Sequence, residues 1–260
     1  MFQLFPPQST EIPNSGSTTI ADPLAAVSAE ARPNPTDRPW LLTNMIASAD
    51  GATHMAGLSG PLGSPADTEM LVAYRTVADA ILVGAATAHS EGYGVPKASE
   101  RQRAARRSRG QADRPRLVVI SASLSLPIDL PMFSQPEYRP IIATTTSSPQ
   151  DRRDTLSEVA DVVTLGETAV DPHALVHHLH TLGMTTVLSE GGPRINGQLI
   201  QAGLIDEWNL TLAPLLVSGN SRRPAFANDA ADPPSNMQLQ RIWHSDDDLL
   251  FCRWTRRTNH

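Results

Sequence analysis

Met184-Thr185-Thr186-Val187-Leu188-Ser189-Glu190-Gly191-Gly192-Pro193 is the stretch that decides the architecture. An apolar extended run, a carboxylate, a glycine pair and a proline are followed by a helical pattern from Arg194 to Ala202. That order spells a strand, a tight turn and a helix N-terminus. Such a turn suits a phosphate, because backbone N–H groups and the helix dipole favour an anion and glycines let it approach the main chain. The same grammar also describes a plain helix cap after a buried strand, and the turn alone does not choose between them. Glu190 stands on its lip.

Apolar runs alternate with helical patterns on both sides of this turn. Trp40 to Ala47 reads as a first buried strand, and Ser64-Pro65-Ala66-Asp67 opens a helix through about Ala78. Further strands are expected at Asp79 to Gly84, Leu117 to Ile120, Pro140 to Thr144 and Asp161 to Leu165, with a helix from Asp171-Pro172 to about Leu182. The last third carries a strand over Glu207 to Ala213, a polar Pro-containing stretch over Ser218 to Ser235, and strands near Met237–Trp243 and Leu249–Trp254 that lie too close for a helical crossover. The pattern predicts an α/β sandwich with a mostly parallel sheet and antiparallel C-terminal strands. Ligands bind beyond the carboxyl ends of such strands. Ala47-Ser48-Ala49-Asp50-Gly51, Gly84-Ala85-Ala86-Thr87 and Glu190-Gly191-Gly192 are the features expected there.

Residues 1–38, rich in Pro, Ser, Thr and Asn, read as an extended arm with one short helix begun by Asp22-Pro23; the packed domain runs from 39 to 260. A net charge of −6 argues against a protein built to hold nucleic acid. The single cysteine, Cys252, excludes an internal disulfide and a multi-cysteine metal site, and fits a small buried hydrophobe on a strand. His173 and His177 share a helix face, but with no third ligand nearby no metal is expected. No run approaches a membrane span and the N-terminus lacks a signal-peptide pattern, so a soluble, cytoplasmic protein is expected. Eight of the 21 basic residues fall in 97–116. A solvated loop or frayed helix is the plain reading of that stretch, and a basic lid over a phosphorylated ligand is the sharper one.

Four ordered blocks resemble the reductase domain of the bifunctional riboflavin-biosynthesis deaminase-reductase, whose fold is like that of dihydrofolate reductase. They are Ala47 to Gly51, Arg75 followed by Ala78 to Thr87, Ser189 to Leu199, and Gly203-Leu204-Ile205-Asp206-Glu207. The resemblance implies a three-layer sandwich, a homodimer and NADPH as hydride donor. It sets Asn44, Ile46, Ala47, Asp50, Gly84, Ala86 and Thr87 beside the cofactor, and the pyrophosphate against Gly191, Gly192, Pro193, Arg194, Ile195, Asn196 and Gly197. Ser121 or Ser123 is the position to test for the adenosine 2′-phosphate. On the substrate side it implies Ser59, Arg75 and Glu190.

The departures concern the substrate. Ala52 replaces a basic residue, Pro61 a tryptophan, and Glu91-Gly92-Tyr93-Gly94-Val95 a segment that carries an arginine for the ribose phosphate. The zinc deaminase half is missing, so at most a stand-alone reductase remains. Pro61 to Asp67 is similar to a segment of true dihydrofolate reductases, in which an acid at the helix start binds the pteridine; Asp67 also suits the helix dipole without any such role. The leading expectation is NADPH-dependent reduction of 5-amino-6-(5-phosphoribosylamino)uracil to its ribitylamino product, with Glu190 and Asp67 catalytic. Dihydrofolate reduction and a non-catalytic NADPH-binding protein are the alternatives.

Overall fold

The computed structural model describes residues 1–5, 22–33 and 35–257. In chain order the elements are β1 (Phe2–Phe5), α1 (Pro23–Ala29), β2 (Trp40–Ser48), α2 (Pro65–Val77), β3 (Ala80–Gly84), α3 (Ala85–Ser90), α4 (Glu100–Arg107), β4 (Arg116–Ile120), β5 (Ile141–Thr144), α5 (Gln150–Ser157), β6 (Asp161–Thr164), α6 (Pro172–Thr181), β7 (Thr186–Ser189), α7 (Pro193–Gln201), β8 (Glu207–Ala213), β9 (Met237–His244) and β10 (Leu250–Arg256). The strands form one sheet in the order β1-β9-β10-β8-β2-β7-β3-β4-β5-β6. From β8 to β6 neighbouring strands are parallel, whereas β10 runs antiparallel to both β8 and β9, as the short spacing at the C-terminus required.

Successive side chains of a strand point to opposite faces, and this alternation splits the core. Leu41, Leu82, Val118 and Val187 pack with Leu175, Leu179 and Leu199 of α6 and α7. Leu42 and Leu188 on the other face meet Val27 of α1 and Met70, Ala73 and Tyr74 of α2. Ile81, Val83 and Val119 meet Leu156 of α5. The buried β3 and β7 at the centre explain why those strands read as unbroken apolar runs.

Strand β8 alternates differently. Glu207, Asn209 and Thr211 form its fully buried face, and each has a partner. Glu207 accepts from Arg32, Arg253 and the Trp40 indole. Asn209 accepts from the Tyr74 hydroxyl at 2.8 Å, and Thr211 donates to Asp67 at 2.8 Å.

Part of the N-terminal arm belongs to this framework. β1 pairs with β9 at the sheet edge, α1 packs on α2, and Glu30 and Arg32 join the ion cluster around Glu207. The short helix begins as expected: Asp22 accepts from the Ala25 N–H and Pro23 takes the first turn. The remainder of the expected arm, 6–21, lies outside the described residues.

Residues 97–116 carry the helix α4 where the plain reading expected a solvated loop or frayed helix. Ser99 begins α4 with a reciprocal capping box. Arg106, only 1% exposed, donates to the carbonyls of Arg75, Thr76, Ala78 and Ala112. Arg109 adds a bond to the Thr76 carbonyl, and Gln111 one to that of Val77. The last carbonyls of α2 have no helical partner, and a guanidinium with five donors closes them. Charge counting along the sequence could not reveal that these arginines face backbone.

Burial alone would raise the Glu207 carboxyl, but Arg32 and Arg253 outweigh it and hold the group at about 2, below its ordinary 4.5. A depressed folded-state value contributes stability above the ordinary value and loses it as pH falls through the folded one. The unfolding free energy from urea titrations is therefore expected to fall between about pH 5 and pH 2. Glu207→Gln should remove part of that slope and cost roughly 3 kcal/mol at pH 7. Identical slopes in both proteins would contradict the pairing.

Candidate active site

The turn after β7 is built against the end of β3. The Glu190 N–H donates to the Leu82 carbonyl at 2.9 Å, and the Gly84 N–H to the Gly191 carbonyl at 2.8 Å. Gly191 has φ +88°, a conformation that favours glycine. A Cβ on Gly192 would stand 2.6 Å from Thr87 Oγ1, and one on Gly84 would stand 3.1 Å from Ile195. The glycines thus let two helix N-termini, those of α3 and α7, converge. The N–H groups of Gly192 and Arg194 lie outside the helical ladder of α7, so the place has the polarity to hold an anion.

On the other side of Glu190 a cleft of about 1010 Å³ opens against α2, with Ile46, Asp67, Arg75 and Tyr93 on its walls. Glu190 is 8% exposed and lies behind two of these residues. Arg75 grips it through Nε at 2.7 Å and Nη2 at 2.6 Å, and the Tyr93 hydroxyl donates to Oε2 at 2.6 Å. The guanidinium also sits 5.6 Å from the centre of the Tyr93 ring. Burial works against the Arg75 charge, but Glu190 outweighs it and keeps the guanidinium protonated; burial and the same carboxylate push the Tyr93 phenol well up. Arg75 and Glu190 are thus brought together, with the carboxylate held by the guanidinium Nε and Nη2 and by the Tyr93 hydroxyl rather than left open.

Asp67 reaches the cleft from the first turn of α2, whose cap is Ser64 with Pro65 behind it. Burial raises its carboxyl; the bond from Thr211 opposes this and nearby Asp247 adds to it. Ser59 stands nearby on the cleft wall, and both its N–H and its hydroxyl donate to Glu91 Oε1 at 3.0 Å.

Other expected residues are placed elsewhere or used differently. Asn196 is fully buried, accepting from Ser189 and donating to the Pro224 carbonyl. A Cβ on Gly197 would lie 2.2 Å from the Phe226 carbonyl oxygen. These two residues seat the 218–235 stretch, which crosses over α7, and the Asn196 N–H also donates to the Gly192 carbonyl at 3.2 Å. Asp50 is exposed, but its carboxylate is engaged: the Ser48 hydroxyl and the N–H groups of Ser218 and Val217 hold it down at about 2. Asn44, Ile46 and Ala47 lie along β2, with Ile46 on the cleft wall and Ala47 buried. Ala86 is exposed on α3 and Arg194 on α7. Pro193 and Ile195 frame the turn. Ser123 shares a bond with Ser125, whereas the buried Ser121 hydroxyl beyond β4 has no partner within the protein.

Tyr93, Glu91 and Thr211 are site residues that sequence reasoning missed. The first two lay in the segment treated only as a departure. For Thr211 there was a signal, the period-two polar alternation of Glu207, Asn209 and Thr211. Cys252 is buried on β10, as its alternating surroundings suggested. Among the described residues no three His, Cys, Asp or Glu side chains cluster to hold a metal, and no helix is long and apolar enough to cross a membrane.

Comparison with known proteins adds to this geometry. Residues 39–251 match the RibD C-terminal domain family, and the chain belongs to it. A Methanothermobacter thermautotrophicus protein named 2,5-diamino-6-ribosylamino-4(3H)-pyrimidinone 5′-phosphate reductase is 26% identical over 216 residues, 82% of this chain and 96% of that one. An Archaeoglobus fulgidus protein of the same name is 26% identical over 183 residues, 70% and 83% of the two chains. Among solved structures, a pyrimidine reductase-like protein from Corynebacterium diphtheriae superposes with a TM-score of 0.82 at 24% identity, covering 92% of this chain and all (100%) of that one. Acinetobacter baumannii RibD gives 0.67 at 19% identity, with 86% of this chain matched to 59% of the longer protein. These likenesses confirm the α/β sandwich with its antiparallel C-terminal strands.

The cradle makes a direct prediction. Gly192→Ala should destabilise the protein by about 1–3 kcal/mol through the clash with Thr87, and the Thr87→Ala background should restore most of the loss. Additive losses in denaturation experiments would show that the close approach is not what requires glycine.

Proposed function

We propose that this chain is an NADPH-dependent reductase of the riboflavin-pathway type, cytoplasmic and homodimeric. Its acceptor is an aminopyrimidine riboside of the class of 5-amino-6-(5-phosphoribosylamino)uracil, reduced at the ribose carbon to the ribitylamino product. One observation carries the reading. Glu190, the residue next to the glycine pair, is gripped by Arg75 and Tyr93 of the cleft wall, so a dinucleotide on the cradle and a heterocycle in the cleft would lie on neighbouring sides of one carboxylate. Membership of the RibD C-terminal domain family and the names of its curated relatives support it.

The residues present fit a phosphorylated dinucleotide. Gly84, Thr87, Gly192 and Arg194 would hold its pyrophosphate, and the partnerless Ser121 hydroxyl favours an additional phosphate near β4. When bound, NADPH supplies the hydride. The chain's own part is orientation, which is where most of the rate in hydride transfer originates. Ile46 offers an apolar wall against which flat rings stack. Arg75 and Tyr93 fix Glu190 and present an ordered polar face to the acceptor. Asp67, its carboxyl raised by burial, holds a proton more readily than a surface acid and is placed to pass it to the acceptor as charge develops.

A second reading, dihydrofolate reduction, is favoured by one observation, the buried position of Asp67 at the start of α2. Stopped-flow oxidation of NADPH separates the two. The aminopyrimidine riboside, offered with and without its 5′-phosphate, should drive oxidation in at least one form, and dihydrofolate should be about 100-fold poorer or worse. Glu190→Gln should lower kcat/KM by about 100-fold. Ser121→Ala should raise the NADPH KM by about tenfold and leave the NADH value unchanged. Preference for dihydrofolate, abolished in Asp67→Asn, would hand the site to the second reading; no oxidation with any acceptor would sink both.

A further inference from the structure

Ser59 offers two donors to the cleft, and both are directed at one oxygen of one internal carboxylate, Glu91 Oε1. Converging N–H and O–H donors on a single anionic oxygen is the arrangement by which a protein holds a phosphate or carboxylate of a ligand. Here the chain supplies that anion itself. Glu91 is 32 positions away in sequence, so the contact is a product of the fold rather than of a local turn. Its stem is fixed: the Glu91 N–H donates to the Thr87 carbonyl at 3.0 Å, closing α3.

Two cations near this contact already serve internal partners. Arg75 gives its Nε and Nη2 to Glu190, and Arg106 is turned to the carbonyls at the end of α2. A phosphate brought to Ser59 would meet the Glu91 carboxylate at hydrogen-bond range, and like charges at that distance repel strongly in a partly buried site. An uncharged hydroxyl meets no such opposition, because it donates to the Glu91 carboxylate.

We infer that Glu91 is a specificity-determining residue which takes the place of a substrate anion at Ser59, so that the acceptor group seated there is an uncharged hydroxyl and the 5′-phosphate is not a recognition element. This rests on the reductase reading for the identity of the acceptor, but not for the contact itself. It also gives the Glu91 to Val95 segment a role, since that segment both lacks the expected arginine and carries the carboxylate that makes one superfluous.

The test is the ratio of kcat/KM for the phosphorylated riboside to that for the dephosphorylated riboside, measured for the wild-type protein, Glu91→Gln and Glu91→Ala. Removing the charge should raise this ratio at least tenfold in either variant. A smaller rise, no change or a fall in both overturns the inference and moves the phosphate to another part of the cleft, such as Lys97 or Arg114. A turnover-independent arm uses ribose 5-phosphate and ribose as probes in NMR titrations. Glu91→Ala should bind ribose 5-phosphate at least tenfold more tightly than wild type, with ribose unchanged, and equal affinities for the phosphate probe would overturn the inference. If no riboside is reduced by any of the proteins, the reductase reading fails, and the titration still decides the role of Glu91.

Discussion

The buried polar face of β8 is the constraint on which the remaining architecture rests. Three residues two apart, Glu207, Asn209 and Thr211, point into the layer that an ordinary strand would fill with Val or Ile. Each must be paired, because an unpartnered polar group in that layer is costly. The pairing fixes neighbours that are distant in sequence. Glu207 draws in Arg32 from the N-terminal segment and Arg253 from β10; Asn209 takes Tyr74 from the middle of α2; Thr211 takes Asp67 from its start. One strand thereby sets the position of α2 along the sheet, and with it the position of the cleft acid.

Helix α2 is secured at both ends as well as along its length. Ser64 caps its first turn and is itself bonded to Asp247, while Arg106 and Arg109 close its last carbonyls. The helix carries Asp67 at one end and Arg75 near the other, so the two cleft residues are held at a fixed separation. Arg75 then reaches across to Glu190 in the turn after β7, and Tyr93 adds a further hydrogen bond to the carboxylate. Glu190 is a shared anchor between sheet and helix, which explains how an acid so close to the glycine turn is nevertheless almost entirely covered.

Much of this was legible in the sequence. The parallel strands, the start of α2 at Ser64-Pro65 and the turn at Gly191-Gly192 all follow from apolar runs punctuated by caps and glycines. The C-terminal antiparallel pair followed from spacing alone. What was not legible depended on partners remote in the chain. Arg106 looks like any of its seven basic neighbours until the end of α2 is placed beside it, and the bond from Asn196 to the Pro224 carbonyl is invisible until the 218–235 stretch is laid over α7. Tyr93 and Glu91 carried no periodic pattern. Their roles arise from where α3 ends relative to β7 and Ser59, which is tertiary information.

The cleft has walls of two kinds, and the difference bears on how such a protein diverges. The α2 wall is tied into the polar face of β8, the ion cluster and the arginine cap, so exchanges there disturb folding along with binding. The stretch from Glu91 to Val95 lies on the opposite wall, with the N–H groups of Glu91, Gly92 and Tyr93 bonded to carbonyls of α3. Of these positions Tyr93 is tied to Glu190 and the core and Gly92 has φ +64°, whereas Glu91 is held to the framework by its backbone and presents its carboxylate to Ser59. A change in the codon for Glu91 would thus alter which small molecule the cleft accepts while leaving the sheet, the cradle and α2 in place.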